Sequence, residues 1–304
     1  MVSPQPVVSV VIPAFNRAHL LSRSVRSALD QDFRDTEVLV INDGSTDNTS
    51  EVVRELAKQD DRLKLVEHDR NKGEAAARNL GVREARGTFV AFLDSDDEWL
   101  PGKLSKQISV FRDAPSSVGA IMSRYSIISP DGSEEPVRDW TDILPITEIN
   151  LLAKGCGLCM GVTFLVRKSV YDKIGYYDES LPIFVDLDWL CRLLSLYEIV
   201  KLDDVHARYH KSPMRRGEML ADGVRKYEAK NADHLNSFKW IDRIRIKSQF
   251  YNYISLAYAA NGPWWKFIVS RFLHFAANPF QHPGNYKHFI FALLGIIRIG
   301  GKSS

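Results

Sequence analysis

The sequence predicts an α/β fold, a mostly parallel sheet with helices on both faces. Three observations predict it. Short β-branched and apolar runs alternate with segments of helical periodicity. The runs end in Pro, Gly, Asn or Asp turn chemistry. The 304 residues, 45% of them hydrophobic, are enough to bury the core of one large domain with appendages or of two modest ones.

Residues 7–12 (VVSVVI) run into Pro13 and read as a buried strand. Leu20, Leu21, Val25, Ala28 and Leu29 then recur at helical spacing. Residues 38–41 (VLVI) form a second strand, closed by Asn42-Asp43-Gly44-Ser45. Asp47 or Asn48 caps a helix carrying Val52, Val53, Leu56 and Ala57. Residues 63–66 are a third strand, 75–85 a third helix, and 89–93 (FVAFL) a fourth strand ending in acids. After Pro101 the rhythm loosens. Strands are predicted over 120–128 and 161–166, a helix over 186–196, and a helical, charged and aromatic texture from Arg215.

Composition excludes several classes. Lys+Arg 40 against Asp+Glu 38 leaves +2, which argues against a nucleic-acid binder built on bulk charge. Aromatics at 11% argue against disorder. Three cysteines make no disulfide framework and suit a reducing compartment. The start of the chain lacks a basic, apolar leader, and the run 289–297 is too short to span a bilayer. A cytoplasmic body is expected.

Parallel sheets of this kind bind ligands beyond the carboxyl ends of their strands. Asn16, Asp43, Asp94, Asp96 and Asp97 all follow strand ends, so a site is expected on that rim. Clustered carboxylates in Asp94-Ser95-Asp96-Asp97 repel one another unless a cation joins them. Mg²⁺ usually takes one or two carboxylates plus substrate phosphates. A solvated acidic turn is the plain alternative, as an ordinary Asp-Gly turn is for Asp43.

Four ordered blocks make a resemblance specific. They are Val10-Val11-Ile12-Pro13-Ala14-Phe15-Asn16, Val40-Ile41-Asn42-Asp43-Gly44-Ser45-Thr46-Asp47, Asn71-Lys72-Gly73 with Ala77-Arg78-Asn79-Leu80-Gly81, and Phe92-Leu93-Asp94-Ser95-Asp96-Asp97. Together they resemble a family-2 inverting glycosyltransferase with a GT-A-like, Rossmann-type nucleotide-sugar fold. The resemblance covers about the first 100 residues.

It implies that Pro13, Ala14, Phe15 and Asn16 line the nucleoside pocket, with Lys72 and Arg78 also on the nucleotide-sugar side. Asp43 would read the base, most often uracil. Asp94 and Ser95 would lie near the ribose, and Asp96 would hold Mg²⁺ or Mn²⁺, with Asp94, Asp97 and His210 as further ligand candidates. The family's base is usually the Asp of a Glu-Asp pair opening a helix. Here Val185 replaces the Glu, Asp186 takes the base position, and Asp188 is the fallback. Arg208-Tyr209-His210 resembles the family's Arg-x-His element, which would steady the departing diphosphate, with Arg215-Arg216 in support or as a solvated loop.

On this resemblance the catalytic domain spans 1–210, with a nucleotide-sugar half over 1–112 and an acceptor half over 113–210. A helical extension follows over 211–304. The implied partners are a UDP-sugar and a glycan or lipid-linked acceptor. Rival readings are a haloacid-dehalogenase-type phosphatase, a nucleotidyltransferase, and a non-catalytic nucleotide- or glycan-binding module. Glu98 stands where the phosphatase needs Thr or Val, and the turn after the first strand lacks the nucleotidyltransferase's Gly-rich basic loop.

Three further motifs stand outside these blocks. His206 and His210, four apart, could face together on a helix as metal ligands, but the Glu of an HExxH motif is missing, which counts against that reading. Cys156-Gly157-Leu158-Cys159 lacks a second Cys pair and reads as small residues lining a pocket. Trp264, Trp265, Ile268, Phe272 and Phe275 form an apolar stripe at helical spacing, and an apolar stretch over 289–299 follows. Residues 263–300 are therefore either interfacial, peripheral at the inner face of the plasma membrane, or a packing surface for this or another subunit.

Overall fold

A computed structural model of the chain describes residues 5–135, 144–154, 159–211 and 217–277. The chain divides into two compact units, Met1–Pro213 and Met214–Ser304.

The first unit opens with three strand–helix pairs. These are β1 (Val8–Ala14), α1 (Leu21–Leu29), β2 (Thr36–Asn42), α2 (Thr49–Ala57), β3 (Leu63–Glu67) and α3 (Glu74–Glu84), and β4 (Phe89–Phe92) follows. Val8, Val10, Val11 and Ile12 of β1 are all fully buried. A central parallel strand is covered on both faces, which is why its sequence is a continuous apolar run rather than an alternation. β1 pairs in parallel with β2 (Val10↔Val38) and with β4 (Val11↔Phe92), and β2 pairs in parallel with β3.

The remaining elements are β5 (Glu98–Trp99), α4 (Lys103–Asp113), β6 (Val118–Ile128), β7 (Glu134–Glu135), α5 (Glu148–Lys154), α6 (Met160–Thr163), β8 (Phe164–Arg167), α7 (Lys168–Ile174), α8 (Val185–Leu194) and β9 (Glu198–His210). The sheet order is β3-β2-β1-β4-β8-β6-β9-β5, with β7 on β6. β8 runs antiparallel between β4 and β6, and β9 returns parallel to β6. The sheet is thus parallel through its first half and mixed in its second.

Two expectations change here. Residues 161–163 are a helical turn, because the amides of Val162 and Thr163 and the Thr163 hydroxyl all donate to the Cys159 carbonyl. His206 and His210 lie on a strand, not a helix. Four residues along a strand span about 13 Å, so they cannot share one metal ion.

One buried acid ties the early strands together. Glu37 accepts from Ser9 Oγ at 2.7 Å, Lys64 Nζ at 2.9 Å and the Arg86 amide at 2.8 Å. Burial opposes its charge, but the Arg86 amide, Lys64 and Ser9 outweigh it and hold the carboxyl down at about 2.

The second unit comprises α9 (Gly217–Lys230), α10 (Ala232–Ser237), α11 (Trp240–Asn261) and α12 (Trp264–Ala277). Tyr227 meets Phe250 edge-on at 5.7 Å. Ser248 Oγ sits 2.9 Å from His274 Nδ1, and Arg271 donates to Asn252 at 2.7 Å, fixing α12 along α11.

Candidate active site

The parallel strands β1, β2 and β4 end on one rim, and each is followed by a polar turn. After β1, Asn16 takes a left-handed backbone (φ 53°) and its side-chain oxygen accepts from the Thr46 amide at 2.9 Å. Its own amide donates to Ser45 Oγ at 2.9 Å, so the first two turns are stitched together. Gly44 makes this possible. With φ 68°, it packs where a Cβ would lie 2.4 Å from the Arg70 backbone. Phe15 stands 41% exposed above these turns, an apolar surface open to a ligand.

Asp43 is buried. One carboxylate oxygen faces His68 Nδ1 at 2.7 Å and the Lys72 amide at 2.9 Å, and the other accepts from the Gly73 amide at 2.8 Å. It therefore anchors the loop leading into α3. Lys72 contributes that amide, while its ammonium pairs with Asp69 at 2.9 Å on the surface.

The centre of the rim is Arg78, fully buried on α3. One guanidinium nitrogen donates to Asp186 at 2.6 Å, and the other reaches Asp94 at 3.0 Å and Glu74 at 2.8 Å. The group also lies over the rings of Phe92 and Tyr177, at 5.6 and 5.8 Å. Asp94 follows β4, and Asp186 sits in the first turn of α8, 108 residues from Arg78 in sequence. The Asp94 and Asp186 side chains stay about one-third exposed, so the cation is buried while both acids face outward. Burial pushes the Asp94 carboxyl up to about 6 against the pull of Arg78, with Glu74 and Asp186 adding repulsion.

Asp94 is also positioned from behind. Its amide donates to the Gly161 carbonyl at 2.8 Å, and a Cβ on Gly161 would fall 2.1 Å from its carboxylate. Only glycine permits that approach. Cys159 precedes this turn; Cys156 lies outside the described residues.

The rest of the acidic segment is clamped by α1. Arg23 donates to the Asp96 carbonyl and Ser24 Oγ to the Asp97 carbonyl. Ser27 Oγ accepts the Trp99 amide at 3.1 Å, and Gln31 donates to the Leu100 carbonyl at 3.0 Å while accepting from the Leu104 amide. Positions 23, 24 and 27 share one side of α1, Gln31 follows two residues past its end, and Ser24 and Gln31 are buried polar groups that this segment satisfies. The sequence reading missed them. The signal was polar residues at helical spacing on a face that the apolar pattern did not account for.

Within the cluster the acids separate by role. Ser95 is buried. The Asp97 carboxylate turns inward, one oxygen accepting the His210 amide at 2.7 Å and the other buried with no hydrogen-bond partner. Burial and the neighbouring Asp94 push it well above the usual range. The half-buried Asp96 carboxylate makes no hydrogen bond or ion pair among the described residues. Arg208 and His210, on β9, lie 3.4 and 3.6 Å from Glu98. Burial and nearby Arg23 push the His210 imidazole below its usual value. Arg215 and Arg216 lie outside the described residues.

Asp188, the fallback base, is turned away. It is buried and pairs with Arg192 at 2.9 Å, one helical turn on, and Arg192 in turn donates to the carbonyl of Tyr176 at 2.9 Å. His68 was also missed; only its position after the third strand hinted at it.

Among the described residues no three His, Cys, Asp or Glu side chains form a ready-made cation site. A hard divalent ion that takes a single carboxylate and completes its shell with phosphate oxygens needs no such trio. The uncommitted Asp96 carboxylate on the rim fits that mode.

The profile described as glycosyl transferase family 2 matches residues 9–175. An Escherichia coli protein, UDP-Glc:α-D-GlcNAc-diphosphoundecaprenol β-1,3-glucosyltransferase, is 38% identical over 157 residues, covering 51% of this chain and 59% of the relative. The first four curated relatives are matched over only 30% to 59% of their own length. Two solved structures share the fold with a TM-score of 0.56. One is TarS from S. aureus in complex with UDP-GlcNAc, 18% identical and covering 89% of this chain and 88% of that one. The other is a mannosyltransferase from Pyrobaculum calidifontis in complex with GDP-Man and Mn²⁺, 20% identical, covering 99% and 77%.

Proposed function

The chain belongs to glycosyl transferase family 2, and on that premise we propose that it moves a sugar from a UDP-sugar to a hydroxyl of a lipid-linked glycan with inversion. The observation that carries this is Arg78, a buried cation that brings Asp94 and Asp186 together on one rim.

Asp186 is the base. Arg78 keeps it oriented through a charge-assisted hydrogen bond, and the Asp186 side chain stays about one-third exposed on the rim that an acceptor would approach. As the acceptor oxygen attacks the anomeric carbon, Asp186 takes its proton. The bond from that carbon to the diphosphate breaks on the opposite face, and the nucleoside diphosphate departs with the electron pair. Phe15 and the turns stitched by Asn16 support the nucleoside, and Asp94 lies toward the ribose. Asp96 would hold Mg²⁺ or Mn²⁺, which supplies positive charge to the diphosphate. Arg208 is the cationic candidate at that end, and His210, whose imidazole is pushed below its usual value, would meet the diphosphate as a neutral hydrogen-bond donor. Asp43 acts on the nucleotide side by holding the 68–73 loop, with one lone pair left to meet the base.

The E. coli relative, whose name specifies UDP-Glc and a diphosphoundecaprenol acceptor, supports the donor and acceptor classes. The fold shared with UDP-GlcNAc- and GDP-Man-bound proteins supports a nucleotide-sugar site. Family membership favours this reaction over the phosphatase and nucleotidyltransferase readings.

The test is a panel of nucleotide sugars with Mn²⁺ or Mg²⁺, followed by thermal shift and by product release. UDP is expected to raise the melting point only when metal is present, and Asp96→Ala to remove that shift. Asp186→Asn is expected to keep the shift and lose transfer. A chain that no nucleotide stabilises, with either metal, has a different donor chemistry.

A further inference from the structure

The total charge of +2 hides a sharp division. Residues 214–304 carry 14 of the 40 Lys+Arg and only 5 of the 38 Asp+Glu, leaving 26 against 33 for residues 1–213. Beyond Asp242 the sequence has no acid at all, while Arg243, Arg245, Lys247, Lys266, Arg271, Lys287, Arg298 and Lys302 follow. Such asymmetry between parts of one chain points to an anionic partner.

In the second unit α12 buries one face and exposes the other. Ser270 and His274 are buried, His274 against Ser248 of α11. Trp265, Val269 and Phe272 are 52%, 51% and 61% exposed, and Leu273 beside them is 37% exposed. These positions recur at helical spacing and make one apolar stripe. On α11, Trp240 is 66% exposed and shares a side of the helix with exposed Arg243 and Lys247. Of the predicted stripe, Ile268 is half-buried, the Trp264 and Phe275 side chains are not described, and residues 278–300 lie outside the described residues.

We propose that the exposed face of α12 docks on an anionic lipid surface, its aromatic stripe entering the interface while the surplus of Lys and Arg meets the headgroups. Exposed Trp and Phe on one face of a basic helical unit are what interfacial binding uses. A second copy of this chain is the poorer occupant, because two such units bring like charge together. No described helix is long and apolar enough to cross a membrane, so contact would be at the surface. The inference goes beyond the proposed function and can fail or hold independently of it, since its test needs no turnover.

The experiment is flotation of the full chain with phosphatidylcholine vesicles, with and without about 30% phosphatidylglycerol, at about 0.1 M and 0.5 M NaCl. Binding is expected only with the anionic lipid and to fall at high salt. W265S/F272S is expected to weaken it at least tenfold with an unchanged melting point, because both side chains already face solvent. R243E/K247E is expected to weaken it comparably, and L196S, which changes an exposed apolar residue of the first unit, to leave it intact. No binding, equal binding to neutral vesicles, or full binding by W265S/F272S would overturn the proposal. So would a dimer in sedimentation velocity that W265S/F272S dissociates while the parent fails to float.

Discussion

Replacing Arg78 with Met removes one buried charge and leaves Glu74, Asp94 and Asp186 facing one another. Breaking a buried ion set by deleting one partner costs about 3–5 kcal/mol. Asp94 and Asp186 are one-third exposed and can rehydrate, which places the expected loss near the lower end, about 3 kcal/mol. At roughly 2–4 °C per kcal/mol for a domain of this size, the melting point should fall by about 6–12 °C. The loss should also depend on pH. The Asp94 carboxyl, already raised to about 6 with Arg78 in place, loses that lowering pull and rises further above its unfolded value, so the added repulsion is present at high pH and relieved as protons bind. The deficit relative to the parent is therefore expected to be largest near pH 8 and smaller near pH 5. Urea unfolding of both proteins at the two pH values measures it. An equal deficit at both would refute the electrostatic account and assign Arg78 to packing over Phe92 and Tyr177. Arg78→Lys, which keeps a charge but loses the fork, should fall between.

Other expectations follow from the same geometry. Glu37, held down at about 2 against an ordinary 4.5, contributes about 3 kcal/mol that is fully present above pH 4.5 and lost as pH falls toward 2. Glu37→Gln should thus melt lower at pH 7 and converge with the parent near pH 2; a constant gap in melting point between pH 7 and pH 3 would count against this. Gly161→Ala should displace the Asp94 carboxylate and cut donor-dependent thermal stabilisation at least tenfold in affinity, with only a small change in the unliganded melting point. Gln31→Ala leaves the Leu100 carbonyl and Leu104 amide without that partner and should cost about 1–3 kcal/mol in denaturant unfolding. Its glycosyl-transfer kcat should fall with KM for the donor little changed if the α1 clamp positions the acidic segment.

Much of the first unit was legible because its periodicities are local. A strand buried on both faces must be continuously apolar, and a turn at its end must carry Gly, Asn or Asp, so residues 8–92 announce their elements without reference to anything distant. The candidate acids were legible for the same reason, each following an apolar run. The second half was less so. Gly161, Val162 and Thr163 read as strand because Val and Thr favour it, whereas hydrogen bonds to the Cys159 carbonyl made a helical turn. His206 and His210 read as a helical pair because spacing alone cannot tell a helix from a strand.

The sequence by itself determined the order of strands and helices, the acid-bearing rim and the acid-free basic end, since composition and periodicity are properties of the chain. Only the tertiary structure decided which charges meet. Arg78 and Asp186 are 108 residues apart and share a 2.6 Å bond because β4, α3 and α8 converge there, while Asp188, two residues on, is turned to Arg192. The sheet brings distant carboxylates to one buried cation, and no local pattern records that convergence.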